Sequence, residues 1–232
     1  MCAGIASRLA SRYRCVAPDL PGFGRSEVPT DYEPSLDGMV RFVEELRGAI
    51  GIAGPADLVA HDFGGPFAFA WAVKHPDAVR RMVAINTLFF SDYQWHFWGR
   101  VWRAPILGEL SMMLMNRLMF TQELNRGSAK RISREHIRQD LALVTPLMKK
   151  EVLRLYRATD SEVFVGWEDE LLALIALKPT LVIWGDKDPY IPLRYAERFR
   201  AREVVHLLEL GHWLPVEDAA TCADHVLRFL SL

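Results

Sequence analysis

Apolar and polar positions alternate along this chain in two rhythms. Short apolar runs at 13–17, 56–60, 80–86, 180–185 and 203–210 carry β-favouring residues and predict strands. Between them lie segments with apolar positions at helical spacing. The clearest is 35–50, with Met39, Val40, Phe42, Val43, Leu46 and Ile50 on its apolar side. Residues 4–12, 67–75, 193–200 and 219–230 also read as helices. Strands alternating with helices imply an α/β fold with a parallel sheet covered on both faces. The segment 18–26 is punctuated by Pro and Gly throughout and reads as a loop.

The interval 88–177 breaks this rhythm. It shows no convincing strand and no internal repeat, and it is rich in Trp, Met, Leu and Arg. The expected organisation is an α/β core from 1–87 and 178–232, with 88–177 inserted as a helical lid. Within it, 138–156 is the strongest helical stretch, and Pro146 must start, kink or break part of it. Met and Trp more often fill packing gaps than touch ligands, so most of these side chains are expected to be lid core.

Composition narrows the function classes. At 232 residues the chain is long enough for one sizeable core. A formal net charge of -1 gives no electrostatic case for a nucleic-acid or anionic-membrane partner. Cys2, Cys15 and Cys222 form no spacing motif and fit reduced thiols in a cytoplasm. The first residues lack the basic and apolar regions of a signal peptide, and no stretch is apolar enough to span a bilayer. His75, His96, His136, His206 and His225 show no metal-ligand spacing, so no metal is expected.

The chemistry is concentrated at strand ends. After the run 56–60 comes His61-Asp62-Phe63-Gly64-Gly65-Pro66, then a helix. This is the layout of a nucleophile elbow, with small residues where backbones approach closely. Its apex is Asp62 rather than Ser. Asp188 follows the strand 180–185, with Asp186 a competitor for the same role, and His212 follows the strand 203–210. Functional groups gather outside the carboxyl ends of parallel strands, so these three can converge despite their separation in sequence. Singly, each has a plain alternative as a turn or cap residue. In order, each after an apolar run, they point to catalysis. His61 is expected to pack or hydrogen-bond the elbow.

The motifs at 19–26, 61–65, 185–189 and 211–212 together resemble the α/β-hydrolase superfamily. Within it they are similar to the epoxide hydrolase and haloalkane dehalogenase group, whose nucleophile is an Asp. The resemblance covers nearly the whole chain outside the lid. It implies that Asp62 attacks a saturated carbon, that His212 activates water to cleave the resulting ester, and that Asp188 orients His212. The expected partners are a small apolar organic substrate and water, with no cofactor, no nucleic acid and no membrane. The leaving group separates two activities. The dehalogenases resembled usually carry Trp after the nucleophile, but here Phe63 stands there, leaving Trp95, Trp98, Trp102 or Trp167 as possible donors. The epoxide hydrolases resembled carry two lid tyrosines. Tyr156 fits one of them, Tyr93 is a weak candidate for the other, and the reading leans to epoxide opening. Tyr156, Trp95 and Trp98 are the expected substrate-facing residues.

The resemblance also implies a gap. The superfamily's oxyanion hole uses the N–H of the residue after the nucleophile, here Phe63, and a second N–H from a loop commonly beginning His-Gly. No such loop precedes Asp19. The strand that carries it would lie between 13–17 and 56–60, so the chain reads as truncated at its N-terminus relative to the family. Those two strands should then sit two strand spacings apart or have collapsed to pair directly. A catalytically weak or non-catalytic fragment is the competing expectation.

Overall fold

The computed structural model describes residues 3–231; Met1, Cys2 and Leu232 lie outside the described residues. The chain begins with α1 (Ala3–Leu9) and α2 (Leu36–Ala49), then enters β1 (Ala56–Asp62), α3 (Gly64–Lys74) and β2 (Val79–Thr87). A helical insertion follows: α4 (Phe97–Arg103), α5 (Leu107–Leu114), α6 (Arg117–Arg126), α7 (Arg134–Ala142), α8 (Pro146–Ala158) and α9 (Trp167–Leu177). The chain then returns through β3 (Thr180–Gly185), α10 (Arg194–Arg198), β4 (Glu203–Leu207), α11 (Leu214–Glu217) and α12 (Ala219–Leu230).

Among the described residues the sheet has four strands in the order β1-β2-β3-β4, all parallel. The register sets Val59 beside Val83, Ile85 beside Ile183 and Trp184 beside His206. The central strands are near-continuous apolar runs because both faces are covered. Their side chains divide with period two. Met82, Ala84, Val182 and Trp184 join the larger core under α2, α3 and α9. Val83, Ile85, Leu181 and Ile183 join the core under α1 and α12. Burying a residue such as Ile183 fully is worth about 1.5–3 kcal/mol.

The helices start where local chemistry starts them. Ser35 caps α2 by accepting the Gly38 N–H at 3.1 Å, and Asp218 caps α12 by accepting the Thr221 N–H at 3.1 Å. Pro146 occupies the first turn of α8, behind the Thr145 cap on the Met148 N–H. The predicted helical stretch 138–156 is therefore two helices, with the break just before Pro146. The last helix of the insertion, α9, belongs with the sheet in its packing. Lys74 of α3 pairs with Glu170 at 3.1 Å and lies over the Trp167 ring at 4.1 Å.

Two strand expectations are corrected. Residues 13–17 form no ladder. Tyr13 instead donates its N–H back to Leu9 at 3.0 Å and its O–H to Leu230 O at 2.9 Å, and Arg14 donates to Ile50 O at 2.8 Å. An apolar run needs a neighbour at ladder distance to become a strand, and among the described residues β1 pairs with β2 alone. The two runs have not collapsed onto each other. Val16 and Val59 stay 43% and 37% exposed, on the walls of a cavity of ≈ 1120 Å³. The second correction is at β4, which stops at Leu207 rather than 210. Glu209 takes a left-handed φ of 59° and donates its N–H to Asp186 at 2.7 Å, so the chain turns there.

Candidate active site

The end of β1 and the start of α3 make a sharp turn. At its apex Asp62 adopts a φ of 49°, in the left-handed region that Asp tolerates better than most L residues. Thr87, at the end of β2, donates its hydroxyl to the Asp62 carbonyl at 2.6 Å. A side chain at Gly65 would drive its Cβ into that same hydroxyl, so the second glycine is a packing requirement. The turn leaves the Asp62 side chain 31% exposed, and the carboxylate lines the cavity.

Asp188 is held in the loop after β3. One oxygen accepts the Tyr190 and Ile191 N–H groups at 2.7 and 3.0 Å. The other accepts from Asn86 Nδ2 at 2.6 Å and from His212 Nδ1 at 2.9 Å. Burial alone would raise this carboxyl, but the His212 charge and these donors hold it below the usual carboxylate value. Asp186 has a different duty: it accepts the Glu209 N–H and pairs with Lys187. The geometry therefore separates the two sequence candidates and puts Asp188 against the histidine.

His212 lies between two carboxylates. Its Nδ1 faces Asp188, and its Nε2 is 3.6 Å from Asp62 Oδ1. Burial would lower the imidazole, but the Asp188 and Asp62 charges override it and raise its pKa. Asp62 in turn would rise on burial, yet hydrogen bonding and charge from His212 lower it, helped by His61 and the Phe63 N–H. The loop carrying His212 is tied down on both sides. Its N–H donates to Gly127 O at 2.7 Å, and Glu217 accepts the N–H groups of Gly211, Ala129 and Lys130. His61 Nε2 lies 2.8 Å from the His212 carbonyl, an acceptor, so the imidazole proton sits on Nε2 and is donated there. Burial and the His212 charge lower the His61 pKa to about 4, which keeps it neutral.

An aromatic group covers Asp62. The Phe63 ring stacks on Trp95 at 6.1 Å and meets Tyr156 edge-on at 4.9 Å, and Tyr156 also packs on Trp95 and Trp102. Trp98 lines the cavity and stacks on Trp102. The indole N–H groups of Trp95 and Trp102 are buried without a partner. Tyr156 Oη lies 3.5 Å from His96 Nε2. Tyr93 is committed elsewhere, donating to Tyr190 O at 3.1 Å, and Trp167, at the start of α9, lies under Lys74 of α3. Among the described residues no group of three or more His, Cys, Asp or Glu could hold a metal.

Four contributors were not singled out from sequence. Asn86 holds Asp188 through Nδ2 and accepts the Gly185 N–H at 3.0 Å through Oδ1; a buried Asn closing the run 80–86 was its signal. Thr87, His96 and Glu217 carried no comparable pattern, since their partners are set by tertiary contacts.

A family model described as alpha/beta hydrolase fold matches residues 1–219. The chain belongs to this family. Among α/β hydrolases it is 30% identical over 241 residues to a 2-hydroxymuconate semialdehyde hydrolase of Pseudomonas sp. (strain CF600), covering 98% of this chain and 80% of that protein. It is 27% identical over 230 residues to a haloalkane dehalogenase 2 of Mycobacterium tuberculosis, covering 94% of this chain and 71% of that one. The crystal structure of the haloalkane dehalogenase DbeA from Bradyrhizobium elkani USDA94 superposes with a TM-score of 0.83 at 24% identity, over 99% of this chain and 84% of that one. Among the described residues of this α/β hydrolase, no helix is long and apolar enough to cross a membrane.

Proposed function

We propose that this α/β hydrolase opens a small apolar electrophile at a saturated carbon through an ester on Asp62, with an epoxide as the substrate class. The observation that supports this most is His212 between two carboxylates, Nε2 at 3.6 Å from Asp62 and Nδ1 at 2.9 Å from Asp188, beneath an apolar cavity. A carboxylate attacking an acyl group would give an anhydride and gain little. Attacking a saturated carbon, it gives an ordinary ester that water can cleave.

In the first step Asp62 attacks an epoxide carbon and the C–O bond breaks. The electron pair goes to the oxygen, which takes the Tyr156 proton. In the second, His212 takes a proton from water, and the hydroxide attacks the Asp62 ester carbonyl, with the Phe63 N–H facing the developing charge. Esterification removes one of the two negative charges beside His212, which makes the imidazole easier to deprotonate just when a base is needed. As the ester C–O bond breaks, the departing alkoxide takes the proton brought in by the hydroxide and leaves Asp62 a carboxylate. The proton gained by His212 returns to the Tyr156 phenolate, and the diol leaves. The helices over Asp62 act as the lid that shapes the cavity.

A single turnover in oxygen-18 water tests the covalent step. The label should enter the Asp62 carboxylate and be absent from the first product released. Label in that first product contradicts an ester on Asp62. A haloalkane reading is favoured by one observation, the unpartnered indole N–H of Trp102, which lines the cavity and is a suitable donor to a halide in place of the absent one at Phe63, whereas Trp95, expected to face substrate, is not among the lining residues. The similarity to proteins named haloalkane dehalogenase points the same way.

A further inference from the structure

The phenol that must give up its proton is Tyr156, and its environment opposes that. Burial, the Asp62 charge and the neighbouring Tyr93 and Tyr190 all push its pKa well above the ordinary phenol value. A donor to its oxygen would offset part of this, since a hydrogen bond to the charged form favours it. The structure provides one.

His96 stands at the N-terminus of α4. Its Nδ1 accepts the Gly99 N–H at 3.3 Å and caps the helix. Burial pushes the imidazole down to about 4, so it is neutral and carries one proton. A neutral imidazole with Nδ1 used as an acceptor has that proton on Nε2. Nε2 is the atom 3.5 Å from Tyr156 Oη. The hydroxyl therefore receives a hydrogen bond from His96, and its own proton is free to point elsewhere. The cavity lined by Tyr156 and Asp62 is where it is needed.

We propose that His96 is the positioning residue for Tyr156: by capping α4 through Nδ1 it presents Nε2–H to the phenol oxygen, turns the phenol proton into the cavity and stabilises the phenolate as the epoxide opens. His96 transfers no proton itself. The proton leaves Tyr156 for the epoxide oxygen and is replaced from His212 in the second step, so the balance of the reaction is unchanged. This inference rests on the epoxide reading above.

The test separates the cap from the donor. Asn and Ser both cap helices well, yet neither can carry the imidazole N–H to Tyr156. His96→Asn and His96→Ser should therefore keep α4 and lose the effect on the phenol. The rate of adduct formation with styrene oxide would be read by intact mass in a His212→Gln background, where only the first step occurs. Tyr156→Phe should slow it by about 100-fold, the general-acid range. His96→Asn should slow it by about 10-fold with an unchanged melting temperature. In the double variant the rate should match Tyr156→Phe alone, because His96 acts only through the phenol. An unaltered rate in both His96 variants, or losses that multiply in the double variant, would overturn the proposal. Absence of any adduct in His212→Gln itself would overturn the epoxide reading together with this one.

Discussion

Asn86 shows how much of the site depends on residues that do no chemistry. It donates to Asp188 at 2.6 Å and accepts from Gly185 at 3.0 Å, and it is fully buried. Asn86→Ala removes one donor from a buried carboxylate and strands the Gly185 N–H. A destabilisation of about 1–3 kcal/mol is expected, measurable by urea unfolding. Asn86→Asp should be worse, because it sets a second carboxylate against Asp188. The pH dependence of the two chemical steps follows from opposite shifts. Asp62 is lowered, so it stays ionised to a lower pH than an ordinary carboxylate, and adduct formation should be the step less sensitive to acid. His212 is raised to about 10 beside the two carboxylates and must be neutral to act as base, so ester cleavage should slow as pH falls from the alkaline side while adduct formation does not. Stopped-flow kinetics at two pH values would separate them; loss of both steps together on acidification would contradict the assignment. At this scale the trio Asp62, Asp188 and His212 was legible from order and position after apolar runs. Asn86, His96 and Glu217 were not, because a buried side chain's partner comes from the fold and not from neighbours in sequence.

At the scale of elements, the contrast is between the two sides of the sheet. β3 is buried along its whole length between two partners, whereas β1 has one partner and an open edge on the cavity. Hydrogen exchange should reflect this, with slow amides throughout β3 and faster ones at alternate positions of β1. Equal protection in both strands would mean that the edge is covered in solution. Ile183→Ala in the middle of β3 should cost about 2–5 kcal/mol, as for other large-to-small core changes. The helix 35–50 and the strands β1, β2 and β3 could be read from periodicity, and Pro146 marked the break in 138–156. The run 13–17 misled, because β propensity reports suitability for a ladder and cannot supply the partner strand.

For the whole molecule, the decisive arrangement is one apolar cavity running from the open edge of β1 to Asp62, beneath α4, α5 and α8. Relatives in this family carry names as different as 2-hydroxymuconate semialdehyde hydrolase and haloalkane dehalogenase, so the fold by itself does not choose the substrate. The measurement that tests the account most directly is the intact mass of His212→Gln after exposure to a panel of epoxides and haloalkanes. Without its base the ester should form on Asp62 and persist. The account predicts a mass gain of one whole epoxide, lost when Asp62→Asn is added. A gain of an alkyl group without its halogen would keep the nucleophile and change the substrate class. No gain with any member of the panel, in a protein that remains folded, would contradict the central claim.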